Sequence, residues 1–98
     1  MKKAEMRAQL DAEYLRNFEI QEAEYRDEAH AQWLDSESKH SALDAEYEGH
    51  RDPVYWYKHH TLIDEFWAAR DALNAKRGAR RMALYEDYQA RLAQLDDE

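Results

Sequence analysis

From Lys2 to Glu48 the chain contains neither glycine nor proline, and beyond that stretch it has only Gly49, Pro53 and Gly78. Tight β-turns are made from such residues, and a sheet of useful size needs several turns. A chain with three of them in 98 positions has little to turn a strand with. Ala, Glu, Arg, Leu and Gln, which lose little freedom on coiling, fill most of the remainder. The expectation is an all-α protein, folded as a single domain over residues 1–98.

Apolar spacing predicts how the helices are arranged. Met6, Leu10, Tyr14 and Phe18 step by four, and Tyr25, Ala29 and Trp33 continue near that face. This predicts a long first helix to about Trp33 or Leu34. The polar run 35–41, with Ser36, Ser38 and Ser41, predicts a break and a new cap, the alternative being one helix to Glu48. Glu48 to Pro53 reads as a turn, with Asp52 as N-cap and Pro53 at the first helical position. Tyr55, His59, Leu62, Phe66, Ala69 and Leu73 form the next seam. Trp56, Ile63 and Trp67 beside it widen the apolar arc to about 160° at 100° per residue. So wide an arc predicts a central aromatic helix, about 53–77, lying between two neighbours. Lys76-Arg77-Gly78 reads as its end, although Gly78 inside a helix running to 95 is the alternative. Met82, Tyr85, Tyr88, Leu92 and Leu95 make a last seam, with Asp96-Asp97-Glu98 expected to fray. The predicted architecture is a small antiparallel bundle of three to four helices.

Three polar residues fall inside these stripes. Glu22 lies between Phe18 and Tyr25, and an interior carboxylate needs a partner; His59 and Arg70 on the central helix are the expected ones. Ordinarily His59 would be a hydrogen-bonded core histidine and Arg70 a cation reaching out of the seam to a carboxylate. The motifs of catalysis are thin. Glu37 and His40 have the Glu-x-x-His spacing of di-metal bundles but lack the second pair and two further glutamates. His60 with Asp64, and Glu46 with His50, are i, i+4 pairs with too few ligands for a metal site. There is no cysteine, no Gly-rich phosphate loop and no triad around the few hydroxyls. The expectation is a non-enzyme without metal or cofactor, and a metal-binding bundle enzyme is the weakest of the alternatives.

Charge is the most informative chemical feature. Residues 1–50 hold six Lys/Arg and thirteen Asp/Glu, net −7, whereas residues 51–98 hold eight and nine, net −1. Such a surplus disfavours direct binding to nucleic acid, whose affinity comes from positive surfaces. The cluster Lys76, Arg77, Arg80 and Arg81 is the exception, read first as neutralising helix ends and acids within the fold. An acidic helix suits a basic protein site that normally receives a nucleic-acid backbone, because complementary fields speed encounter. The residues expected to make that contact are Glu13, Glu19, Glu24, Asp27, Glu28, Asp35 and Glu37, with Ile20 and Leu34 as apolar anchors. Size and charge are analogous to those of small phage anti-defence proteins of the anti-CRISPR kind, an analogy that carries no fold or site. The alternative is a structural or adaptor subunit, a homodimer held through Trp56 and Trp67. No apolar run reaches membrane-span length, and Met1-Lys2-Lys3 leads into charged residues, so a cytoplasmic protein without a membrane partner is expected.

Overall fold

The computed structural model describes residues 2–97. They form two helices, α1 over Lys2–Glu46 and α2 over Pro53–Asp97, each of 45 residues, and no strand occurs among the described residues. The all-α expectation stands; the bundle of three to four helices does not. Contacts gather in two compact units. One is Met1–Tyr25 with Ala75–Glu98, and the other is Arg26–Asn74. Each unit is an antiparallel pair of helix segments.

No break occurs at 35–41. Ser36 and His40 take half-buried positions on the inner side of α1. On the outer side Asp35 and Lys39 form an i, i+4 salt bridge at 3.0 Å, a pair that supports helix. Residues suited to capping are thus used in the helix interior. Gly78 does not end α2 either. A glycine stops a helix by turning left-handed, and among the described residues only Gly49 has a positive φ, at 92°. That glycine closes the turn after α1, where His50 N–H donates to Tyr47 C=O at 3.1 Å. Asp52 then caps α2, its Oδ1 accepting from Tyr55 N–H at 3.0 Å, with Pro53 as the first helical residue. At the far end Asp96 and Asp97 are helical and Glu98 lies outside the described residues.

With one neighbour instead of two, no helix here is central. Residues 53–77 are the first part of α2, and their wide aromatic arc is only partly covered. Tyr55 is buried, but Trp56 and Trp67 remain 44% and 56% exposed. The buried core consists of Leu43, Tyr55 and Leu73 in the second unit and Leu95 in the first.

The seams follow a different period from the one the apolar residues suggest. Along α1 and into the turn after it the seam runs through Leu10, Tyr14, Phe18, Gln21, Tyr25, Ala29, Gln32, Ser36, His40, Leu43 and Tyr47, with Glu22 and Ala23 half-buried beside it. On α2 it runs through Tyr55, His59, Leu62, Phe66, Arg70, Leu73, Arg77, Arg81, Leu84, Tyr88, Leu92 and Leu95, with Lys58, Thr61, Ile63 and Arg80 half-buried at its edges. Steps of four, four and three repeat in both, an 11-residue period of about 3.67 residues per turn, close to the natural helix. Met6, Trp33, Ala69, Met82 and Tyr85, expected in the seams, are exposed; Arg70, Arg81 and Leu84 take the α2 places.

Candidate interaction surface

The 11-residue period repeats chemistry as well as burial. Asp11, Glu22 and Asp44 occupy the same place in the α1 repeat, as Tyr88, Arg77 and Tyr55 do in the α2 repeat. In the first unit Tyr88 Oη donates to Asp11 Oδ1. There Arg77 also grips Glu22 through two bonds, Nε to Oε1 at 3.0 Å and Nη2 to Oε2 at 2.6 Å. In the second unit Tyr55 Oη donates to Asp44 Oδ1 at 2.6 Å. Three residues after each acid stands a tyrosine whose ring meets the same α2 side chain. Tyr14 lies 4.6 Å from the Tyr88 ring, Tyr25 4.3 Å from the Arg77 guanidinium, and Tyr47 5.7 Å from the Tyr55 ring. Each rung therefore joins an apolar contact to a carboxylate that fixes the tip of the opposing side chain.

Glu22 is the most heavily engaged acid. Arg81 Nη2 donates to its Oε1 at 2.6 Å while the Arg81 guanidinium covers the Phe18 ring at 4.9 Å. The hydrogen bond from Arg77 above all, with Arg81 adding to it, holds the Glu22 carboxyl below its ordinary value against the opposing effect of desolvation. Conversely, donation to Asp44 raises the Tyr55 phenol, and donation to Asp11 raises that of Tyr88.

The expected partners of Glu22 are otherwise occupied. Arg70 Nε donates to Gln32 Oε1 and its Nη2 to Ala29 C=O, both at 3.0 Å. It is satisfied by an amide and a backbone carbonyl, not by a carboxylate. His59 is half-buried, its ring edge-on to His40 at 5.0 Å and stacked on Tyr55 at 5.8 Å, with Nδ1 lacking a hydrogen-bond partner. Aromatic contact rather than hydrogen bonding holds it.

On the opposite flank of the seam runs a series of ion pairs, again eleven residues apart on each helix. Glu13 meets Arg91 at 3.1 Å and Glu24 meets Arg80 at 2.7 Å in the first unit; Glu46 meets Lys58 at 3.4 Å in the second. Asp35 has the same place in the repeat, but Ala69 stands where a cation would be, and Asp35 turns to Lys39. In this third repeat Trp33 likewise stands in place of the acid, Ser36 in place of the tyrosine, and Phe66 in place of Tyr or Arg. A shallow groove of about 90 Å³ lies there between Ser36 and Phe66, well under the usual size of a small-molecule site. A more open groove of about 380 Å³ beside Leu43, Tyr57 and Leu62 has Lys39 and Lys58 at its rim, both engaged by acids.

Placed on the structure, the proposed contact residues divide. Glu13, Glu24 and Asp35 are exposed but salt-bridged. Glu19, Asp27, Glu28 and Glu37 are exposed, as are Ile20 and Leu34, about half accessible each. They spread around the outer side of α1 instead of lining one stripe, with Glu19 and Ile20 in the first unit and Asp27, Leu34 and Glu37 in the second. Arg77, Arg80 and Arg81 face acids of α1 and do not form a free basic patch. Among the described residues no group of three or more His, Asp or Glu converges on a metal-sized site, and no helix is long and apolar enough to cross a membrane.

The exposed tryptophans escaped notice as a group because Trp33 falls near the apolar stripe of α1. The 11-residue repeat, where Trp33 replaces an acid, singles it out once α1 and α2 are paired. No family model, curated protein or solved structure matches the chain.

Proposed function

We infer that the protein acts by binding another protein, as a non-enzymatic modulator whose α1 docks its outward acids on a basic partner site that otherwise receives nucleic acid. One observation carries this reading. Lys58, Arg77, Arg80, Arg81 and Arg91 of α2 are each engaged by an acid of α1, whereas Glu19, Asp27 and Glu37 project from α1 with no such pairing. The cations are consumed in holding the helices together, and the charge left for a partner is negative. A field of that sign attracts a basic surface and repels a phosphate backbone. Ile20, exposed in the first unit, and Leu34, exposed in the second, each supply apolar contact that steering alone lacks.

The test is co-purification from the native host with mass spectrometry, comparing the wild type with a Glu19→Lys/Asp27→Lys variant. The expected result is a basic protein retained by the wild type, released by added salt or by nucleic acid, and not retained by the variant. A partner held equally by both proteins, at low and high salt alike, overturns the reading.

A further inference from the structure

We propose that the chain forms a homodimer through the flank of its second unit that carries all three of its tryptophans. Trp33 on α1 is 49% exposed, and Trp56 and Trp67 on α2, eleven residues apart, are 44% and 56% exposed. Trp33 occupies the place in the repeat held elsewhere by Asp11, Glu22 and Asp44, which lie on the flank away from the ion pairs. Trp56 and Trp67 directly follow the seam residues Tyr55 and Phe66 and turn in the same sense from their seam. In an antiparallel pair, flanks reached by the same sense of turning lie on one side. The three indoles and half-buried Ile63 therefore share a face, and among the described residues none covers the indoles fully. Tryptophan is the residue most enriched where interfaces carry their binding energy.

The surface area is compatible with a second copy as the cover. The chain exposes 7444 Å², whereas a folded monomer of 11.8 kDa exposes about 5,900 Å². The excess, about 1,500 Å², is spread over both units, and it is more than the roughly 800 Å² per partner that a standard interface takes, so a second copy has the area it needs. Antiparallel helix pairs that stack face to face complete a four-helix bundle, the usual way for such a pair to gain a core. The charges around the face fit a second copy better than a basic partner. Arg26 lies beside it with Glu37 and Asp71, so both signs are present, unlike the acid-rich outer side of α1. Glu37 borders this face, whereas Glu19 and Asp27 of the proposed acidic docking surface do not, so a variant at those two acids alone separates the two readings.

Sedimentation equilibrium of the full chain tests the proposal. The expected mass is twice 11.8 kDa at micromolar concentration, falling to the monomer on dilution. Trp67→Lys is expected to weaken the dimer by about tenfold or more, as loss of a central interface tryptophan does. Tyr57→Lys, on the far side of α2 where Tyr57 is 74% exposed, leaves it intact. Acrylamide quenching of the unaltered protein gives a readout free of any folding defect in the variants: tryptophan accessibility falls as concentration rises through the dimer transition. A chain that stays monomeric to high micromolar concentration overturns the proposal. So does a dimer whose quenching does not change on association, or one broken by Tyr57→Lys and not by Trp67→Lys.

Discussion

Glu22 accepts hydrogen bonds from two guanidinium groups, whereas Arg70 is held by an amide and a backbone carbonyl and His59 by aromatic rings. Because its carboxyl sits below the ordinary glutamate value in the fold, its contribution is fully present above that ordinary value. It is lost as pH falls through the depressed one. Stability of the wild type is therefore expected to decline on acidification below about pH 4, and Glu22→Gln to flatten that part of the profile, measured by urea denaturation across pH. A double-mutant cycle on Glu22 and Arg77 is expected to show coupling clearly larger than one on Glu13 and Arg91, whose side chains are half-exposed. Equal coupling in the two cycles would sink the idea that Glu22 is the polar anchor. The need of Glu22 for an internal partner was legible in the sequence, since a carboxylate between Phe18 and Tyr25 needs one. Which cation it takes was not, because that depends on the alignment of α1 with α2.

Two 45-residue helices persist through positions that local preference marks as ends. A helix-interior glycine costs about 1 kcal/mol relative to alanine, and Gly78 lies between Arg77 and Arg81, both tied to Glu22. Those contacts outweigh the local cost. An added Cβ at Gly78 meets nothing within 4 Å. Gly78→Ala is therefore expected to stabilise the protein by about 0.5–1 kcal/mol, read as a higher midpoint in thermal unfolding. Destabilisation instead would mean that the helix needs its glycine. The start of α2 was legible to the residue, since Asp52 and Pro53 act within one turn and need nothing distant. The seam was not. An apolar count jumps over Gln32, Ser36, His40, Arg70 and Arg81, and so finds Trp33, Ala69, Met82 and Tyr85 in place of the covered positions.

At the scale of the whole molecule, four of the described residues are buried while eleven large apolar side chains stay exposed. So thin a core gives an isolated chain little stability, and the proposed dimer would supply what the helices alone lack. Unfolding of a dimer is concentration-dependent. The thermal midpoint is thus expected to rise by several degrees with each tenfold increase in protein, and a midpoint that stays fixed from low to high micromolar would count against coupled folding and association. The sequence by itself determined the helical class, the turn at Glu48–Pro53 and the acidic surplus of α1, because glycine and proline content, capping and charge are local or additive. Only the tertiary structure decided the number of helices, the partners of Glu22 and Arg70, and the exposure of the tryptophans. Those depend on which face of α1 meets which face of α2. The 11-residue match of acids on one helix to Tyr and Arg on the other becomes visible only when the two are laid side by side.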